Sequence, residues 1–597
     1  MSLILNRRDL DFLLYDFLES DHLHHYPRFA GQGRETYDQI IDLAFTLAEA
    51  QFQPHAALVD VDEPRFDGER VSMPAEVKQA LDAYVEAGFM GAGFDEELGG
   101  LQLPCTLVQA IAALFYAANV STATYPLLTI GAANLLAAYG DETQRRLYLE
   151  PLVAGRYFGT MCLSEPHAGS SLADIRTKAV PQADGSYRLF GSKMWISGGE
   201  HELSENIVHL VLAKIEGAPP GVKGISLFAV PRLLVAGDGS LGARNDVRLA
   251  GLNHKMGWRG IVNTVLNFGE DEGAIGSLVG EPHRGLAYMF HMMNEARIAC
   301  GVAAVALSYT GYLHSLDYAK TRRQGRLPGE KDPTTPMVPL TEHADVKRML
   351  LQQKAYAEGG LALGLYSASL VDLQDQGTAE ESLKARRLLD ILTPIVKTWP
   401  AVYGLKANEI AIQVLGGAGY TRDYPLERFY RENRLNAIHE GTTGIQAGDL
   451  LGRKVRQEEG AAFDALCDAI SADLDPLTKG LSVETEDLAA ALGICRQVTH
   501  DLVAAAAQVG EVRYLANATL YLDAIGHIVV AWLWLRQAQI ASRLLAEGPG
   551  EEETAFLQGK LAACRYFFRY ELPAARTTLA LVAQIDDTCA SLDPAVL

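Results

Sequence analysis

The chain has 597 residues, enough for several domains, and 48% hydrophobic and 21% charged residues mark it as globular. Its 74 acidic against 52 basic residues give a net charge of −22, with none of the basic patches or arms that duplex binding requires, so no nucleic-acid partner is expected. Met1 to Asp21 carries acidic residues inside its apolar pattern, unlike a secretory leader, and the apolar run Ile528 to Leu535 is too short to span a bilayer, so no transmembrane segment is expected.

Residues 1–35 read as a leader, with Leu10, Phe12, Leu13, Leu14, Phe17 and Leu18 on one helical face, suited to dock on the body or on a partner subunit. Residues 36–156 follow as an N-terminal α-helical domain, with amphipathic runs such as Tyr37 to Gln51 and Thr106 to Ala118. The period changes near Tyr157. Tyr157 to Ser164 reads as a buried strand, and Thr177 to Val180 and Ser186 to Phe190 alternate around Asp184-Gly185, a hairpin signal. Ile207 to Ala213, Ile225 to Val230 and Val262 to Phe268 are further strands, so residues 157–275 form a β-domain. Helical periodicity returns over 276–460, broken by the loop Gly325 to Pro339 with its four prolines. After a polar connector at 471–480, residues 461–597 end as a second helical block whose stripe of Tyr514, Leu515, Leu520, Leu522, Ile525, Ile528 and Val529 reads as core.

The seven cysteines (Cys105, Cys162, Cys300, Cys467, Cys495, Cys564 and Cys589) are scattered and form no CxxC pair. That pattern argues against a disulfide framework or a metal site and suits the cytoplasm.

Four stretches carry chemistry. In Ile438-His439-Glu440-Gly441-Thr442-Thr443-Gly444-Ile445-Gln446 a carboxylate precedes a glycine that permits a tight turn, and Thr442 or Thr443 suits the cap of the next helix. Cys162 to Ser170, CLSEPHAGS, offers backbone donors and hydroxyls where a strand ends. Lys193 to Gly199, KMWISGG, presents a flat indole and a hydroxyl from Trp195 and Ser197. Gln413 to Tyr420, QVLGGAGY, has glycines that let backbone amides approach a pyrophosphate. Taken singly, each also fits an ordinary cap, turn or core tryptophan.

Together and in this order, the four stretches resemble the signature set of the acyl-CoA dehydrogenase family over roughly residues 80–455. The resemblance implies an α+β fold: an N-terminal α-bundle, a central small β-barrel and a C-terminal four-helix bundle around FAD. The extra helical domain resembles that of the longer subgroup, which includes the bacterial methylthiopropionyl-CoA dehydrogenases. It implies Glu440 as the catalytic base. It further implies Ser164, Ser170, Trp195, Ser197 and Thr442 as flavin and phosphate contacts, with Arg322, Gln324, Gln413, Gly416 and Gly417 reaching the FAD of a neighbour in a homodimer. Ser170, Arg297, His439 and Gly441 are implied to meet the acyl-CoA. His167 stands where the family often has glycine, and Gly325-Arg326 replaces its Phe-Gly. The implied reaction removes the α-proton of the thioester to the glutamate and the β-hydrogen as hydride to flavin N5. Electrons then pass to an electron-transfer flavoprotein. The alternatives are an oxidase on the same fold, a nucleic-acid-associated flavoprotein of this fold, and a helical scaffold without turnover.

Overall fold

The computed structural model describes residues 2–474 and 480–597, leaving out the side chains of residues 290–294. Residues 475–479 of the expected connector lie outside the described residues. The chain divides into two compact units: Met1–Tyr37, Cys105–Ala113 and Arg297–Leu597 in one, Asp38–Pro104 and Leu114–Ala296 in the other.

The second unit holds the β-domain. Five strands close a ring: Tyr187–Ser197 pairs with Ala274–Val279, which pairs with Ile225–Pro231, which pairs with Asn206–Ile215. Lys178–Pro181 closes it by pairing with both Asn206–Ile215 and Tyr187–Ser197. Strand Tyr157–Cys162 adds in parallel to Asn206–Ile215, and Asn263–Phe268 and Val247–Leu252 extend Tyr187–Ser197. The expected hairpin forms, its turn eased by Gly185 at φ +86. Side chains alternate across the barrel wall. Val211, Ala213, Phe228, Val230 and Leu189 fill its interior. Val208, Leu210, Leu212, Leu227 and Ala229 pack outward with Leu135, Leu136 and Leu152 of this unit. The strand Ala274–Val279 runs past residue 275, and Val247–Leu252, whose outer face is largely exposed, has no counterpart among the expected strands.

The first unit is helical. The helix Gly285–Thr321 enters this unit at Arg297 and there packs on Ala344–Gln376 and Ala379–Leu415, and Ala518–Ala546 packs on the latter two. Of the stripe read as core, Tyr514, Leu522, Ile525, Ile528 and Val529 are buried, whereas Leu520 is exposed. The leader belongs to this unit. Leu10, Phe12, Leu13, Leu14 and Phe17 are buried, with Phe12 edge-on to Phe556 at 5.7 Å and Arg536 over Phe17 at 4.6 Å. The proline-rich loop is a closed excursion: Gln324 N donates to Val338 O and Val338 N to Gly325 O, at 2.9 and 3.1 Å.

Among the described residues, three helical stretches, Cys105–Tyr139, Glu295–Thr321 and Glu511–Ala546, are long and apolar enough to cross a membrane, although the apolar run noted in sequence is short. Their most apolar windows are 83%, 94% and 83% buried inside the fold, so their hydrophobicity is accounted for by packing.

Candidate active site

Glu440 lies on a turn between the short helix Arg434–Ala437 and the helix Thr443–Asp449. Glu440 and Gly441 both take left-handed backbone, φ 52 and 86. Glycine suits its position; the glutamate is strained there, as residues at functional sites often are. Two buried side chains hold the turn. Gln446 Nε2 donates to Glu440 O at 2.9 Å, and Lys397 Nζ donates to Gly441 O at 2.6 Å. Of the two threonines, Thr442 is the cap, its hydroxyl accepting from Ile445 N at 3.4 Å.

Burial raises the Glu440 carboxyl above its ordinary value, with Lys397 and Arg297 opposing. His439, before it, is pushed down to about 3 by burial with Lys397 adding, so its ring is neutral. Its Nε2 meets Asn436 Oδ1 at 3.1 Å. That asparagine begins a buried chain: Asn436 donates to Asn433 at 3.0 Å, Asn433 to Asn408 at 2.7 Å, and Asn408 to Leu307 O at 2.8 Å. Cys300 stands near Glu440, and burial, then that carboxylate, pushes its thiol up to about 12. Arg297 is buried rather than on a helix surface, with Nη1 paired to Asp449 Oδ2 at 3.1 Å. The same unit carries Arg322, Gln324, Gln413, Gly416 and Gly417, all exposed. Gly416 is left-handed at φ +59, and both glycines face open space where a side chain would stand. Beside them Tyr420 is 89% exposed.

In the second unit, the loop Ser164 to Ser170 leaves strand Tyr157–Cys162. Ser164 is half-buried and Ser170 exposed. Glu165 anchors the loop from below. Its carboxylate accepts from Arg176 N, Thr177 N and Thr177 Oγ1 at 2.7, 3.0 and 2.6 Å, and pairs with the buried Lys193 at 3.0 Å. Burial pushes this carboxyl up, but Lys193 and those hydrogen bonds outweigh it and hold it below its usual value. His167, in the place of a glycine, is accommodated by bonding Asp174 O through Nε2 at 3.1 Å.

Trp195 lies in the facing strand at a bulge. Thr264 pairs with Ile196 and Leu266 with Lys193, so Met194 and Trp195 oppose the single residue Val265. The bulge puts Trp195 at φ 66 and its indole 57% in the open. Met194 N donates to Ser164 O at 3.0 Å, tying loop to bulge, and Ser197 Oγ accepts from Asn263 at 3.0 Å. Nothing in the sequence pattern marks Glu165, Lys193, Lys397 or the asparagine chain, because their roles arise only from contacts distant along the chain.

A large planar cofactor fits the features of the second unit: an exposed indole held out on strained backbone and an anchored loop that presents serine hydroxyls. Among the described residues, no group of three or more His, Cys, Asp or Glu side chains could hold a metal ion.

Comparison with known proteins agrees with this geometry. Acyl-CoA dehydrogenase N-terminal, middle and C-terminal domain families match residues 34–156, 160–269 and 283–454, and an acetyl-CoA dehydrogenase C-terminal-like family matches 462–593. The chain is 37% identical to 3-methylmercaptopropionyl-CoA dehydrogenase of Ruegeria pomeroyi, over 92% of this chain and 93% of that one. It is 36% identical to the broad-specificity linear acyl-CoA dehydrogenase FadE5 of Mycobacterium tuberculosis, over 99% of both. Among solved structures, Caenorhabditis elegans ACDH-11 in complex with C11-CoA superposes with a TM-score of 0.73 at 20% identity, covering 94% of this chain and 90% of that one.

Proposed function

The chain belongs to the acyl-CoA dehydrogenase family, whose members are FAD-dependent enzymes, and we propose that Glu440 is the base that takes the α-proton in its α,β-dehydrogenation of an acyl-CoA. The observation that carries this reading is the desolvated carboxyl of Glu440 on a turn pinned at both of its carbonyls. The α-proton of a thioester is only weakly acidic, and a solvated carboxylate is too feeble a base to take it. Desolvation strengthens the base, and a fixed turn holds it within reach of the proton. Bound FAD supplies the acceptor for the hydride that leaves Cβ.

The remaining roles are those that the family resemblance implies. Ser164, Ser170, Trp195, Ser197 and Thr442 would hold flavin and phosphate. His439, held neutral against Asn436, lines the thioester site with Gly441, while Ser170 and Arg297 meet the acyl-CoA. Arg297, buried on its pair with Asp449, does so at the Glu440 end. Exposed Arg322, Gln324, Gln413, Gly416 and Gly417 would contact the FAD of a second copy in a homodimer. The substrate is an acyl-CoA, the class of thioester in the names of both relatives, one of which is named for linear acyl-CoAs, and the electron acceptor is an electron-transfer flavoprotein. Seven free cysteines fit a cytoplasmic enzyme.

Glu440→Gln tests the reading. The variant keeps the side chain's shape and its hydrogen-bonding capacity, so folding, FAD content and acyl-CoA binding should survive. Flavin bleaching is followed by stopped flow with saturating acyl-CoA, chosen as the best substrate of a panel from butyryl-CoA to palmitoyl-CoA. The rate should fall by at least the roughly 10²–10⁴-fold that loss of a positioned base costs. Bleaching within a few fold of the parent would mean another residue is the base.

A further inference from the structure

We propose that Lys397 is a positioning residue for this reaction: it fixes the left-handed turn that carries Glu440 and balances the charge of that carboxylate. The proposal rests on the reading of Glu440 as base.

Lys397 lies in the helix Ala379–Leu415 between two prolines within that helix, Pro394 and Pro400. Pro400 has no N–H to offer the carbonyl of Val396, one turn back. Gly301 of the helix Gly285–Thr321 sits directly against that oxygen, where an added Cβ would lie 2.0 Å from it. The two helices therefore approach at Gly301 and Val396, and the flanking residues Cys300 and Lys397 come beside the Glu440 turn.

Lys397 is fully buried, and its one hydrogen bond among the described residues goes to Gly441 O at 2.6 Å. An ammonium is costly to bury unless an opposite charge accompanies it. Burial lowers the Lys397 ammonium below its usual value, with Cys300 and Glu440 opposing. Among the described residues, the titratable groups facing Glu440 are few. From the Gly285–Thr321 helix come Arg297, whose charge is met by Asp449, and Cys300, a protonated thiol near neutral pH. From its own turn comes the neutral ring of His439. Lys397, from the Ala379–Leu415 helix, makes no ion pair with another carboxylate among the described residues. Among the described residues it is the cation left to accompany Glu440. Its charge favours the ionised form of the glutamate and opposes the upward shift that burial imposes on that carboxyl.

The test compares Lys397→Met, which removes charge and donor, with Lys397→Gln, which removes charge but keeps a donor for the Gly441 carbonyl. FAD content and folding are measured first. Flavin bleaching with the acyl-CoA chosen from the same panel is then followed from pH 5 to pH 10. An opposite charge a few ångströms away typically lowers a carboxyl pKa by about 1–3, so the acid limb of the bleaching rate should move up the pH scale by that amount in both variants. Below the limb the rate should fall about tenfold for each pH unit that the limb has moved, and it should recover as the pH is raised. A side chain that merely fills space would lower the rate equally at all pH values. An acid limb within about 0.3 pH unit of the parent's in a folded, FAD-loaded variant overturns the proposal, a difference of that size being far below the expected effect. So does failure of both variants to yield folded protein, which would make Lys397 a folding residue. Glu440→Gln is run in parallel. If it bleaches like the parent, the assignment of the base has failed and this proposal with it. If it is inactive while the Lys397 limb stays put, only the role of Lys397 is refuted.

Discussion

Lys193→Met isolates the support beneath the loop assigned to the flavin. Lys193 is wholly buried and Glu165 nearly so, 3.0 Å apart. Methionine has about the same length and leaves no cavity, so the loss is electrostatic. Breaking a buried pair by removing one partner costs about 3–5 kcal/mol. Glu165 keeps three donors, from Arg176 N and from Thr177 N and Oγ1, which places the cost near the lower end, about 3 kcal/mol. Leu163 O also loses its bond from Lys193, 3.0 Å in the parent. At about 2–4 °C per kcal/mol for a body of this size, the unfolding midpoint of the β-containing unit should fall by roughly 6–12 °C. FAD should dissociate more readily, because Glu165 holds the loop from Ser164 to Ser170 in place. The assay is differential scanning calorimetry of the holoenzyme, with the flavin-to-protein ratio measured after gel filtration. The double variant Lys193→Met/Glu165→Met, which removes both charges, should recover part of the loss. A single variant with full FAD and a midpoint within about 2 °C of the parent would refute the assignment, since it would put the pair's worth below about 1 kcal/mol.

Gly441→Ala would place a Cβ 2.8 Å from Gln446 Nε2 on backbone at φ +86. It should slow flavin bleaching by stopped flow at least tenfold, with only about 1–2 kcal/mol lost in a denaturant titration. The pH dependence of the parent follows from the ionised Glu440 carboxylate being the reactive form. Burial raises its carboxyl above the ordinary 4.5, so the bleaching rate should be full above that raised value and fall as pH drops through it. An acid limb at or below 4.5 would contradict the desolvation assigned to Glu440.

The β-domain was legible because its buried strands are short apolar runs and its hairpin alternates about the turn Asp184-Gly185, all local signals. Val247–Leu252 escaped because an exposed edge of the sheet needs no apolar alternation. The helical layout was legible from periodicity, but the division into two units was not. The helix beginning at Cys105 belongs to one unit at its start and to the other beyond Ala113, which no composition shift marks. The run around Glu440 stood out by residue type, whereas its left-handed backbone and the two buried donors behind it did not. Lys397 reads in sequence as one more charge on a long helix. Only the approach of two helices at Gly301 makes it an interior group.

In sequence the docking of the leader stays open between body and partner subunit for a similar reason. Its apolar face specifies that it must be covered, not by what. The specificity comes from charge. Asp9 is fully buried and meets Lys560, which also pairs with Glu358 at 2.9 Å, and Glu358 in turn meets Lys354. Tyr309 donates to the other oxygen of Asp9 at 2.8 Å, and Gln537 accepts from Lys560 at 3.0 Å. Two acids and two lysines balance inside an apolar interior, supplied by the leader, the helix Ala344–Gln376 and the helix Glu551–Tyr566. Removing any one member strands a buried charge, so a leader shifted by a single residue would leave both lysines facing one carboxylate. Apolar burial supplies the attraction and the ion cluster fixes the register. The leader thus completes the C-terminal extension of its own chain, and the bundle that carries Glu440 is braced from its N-terminal end as well as from its C-terminal one.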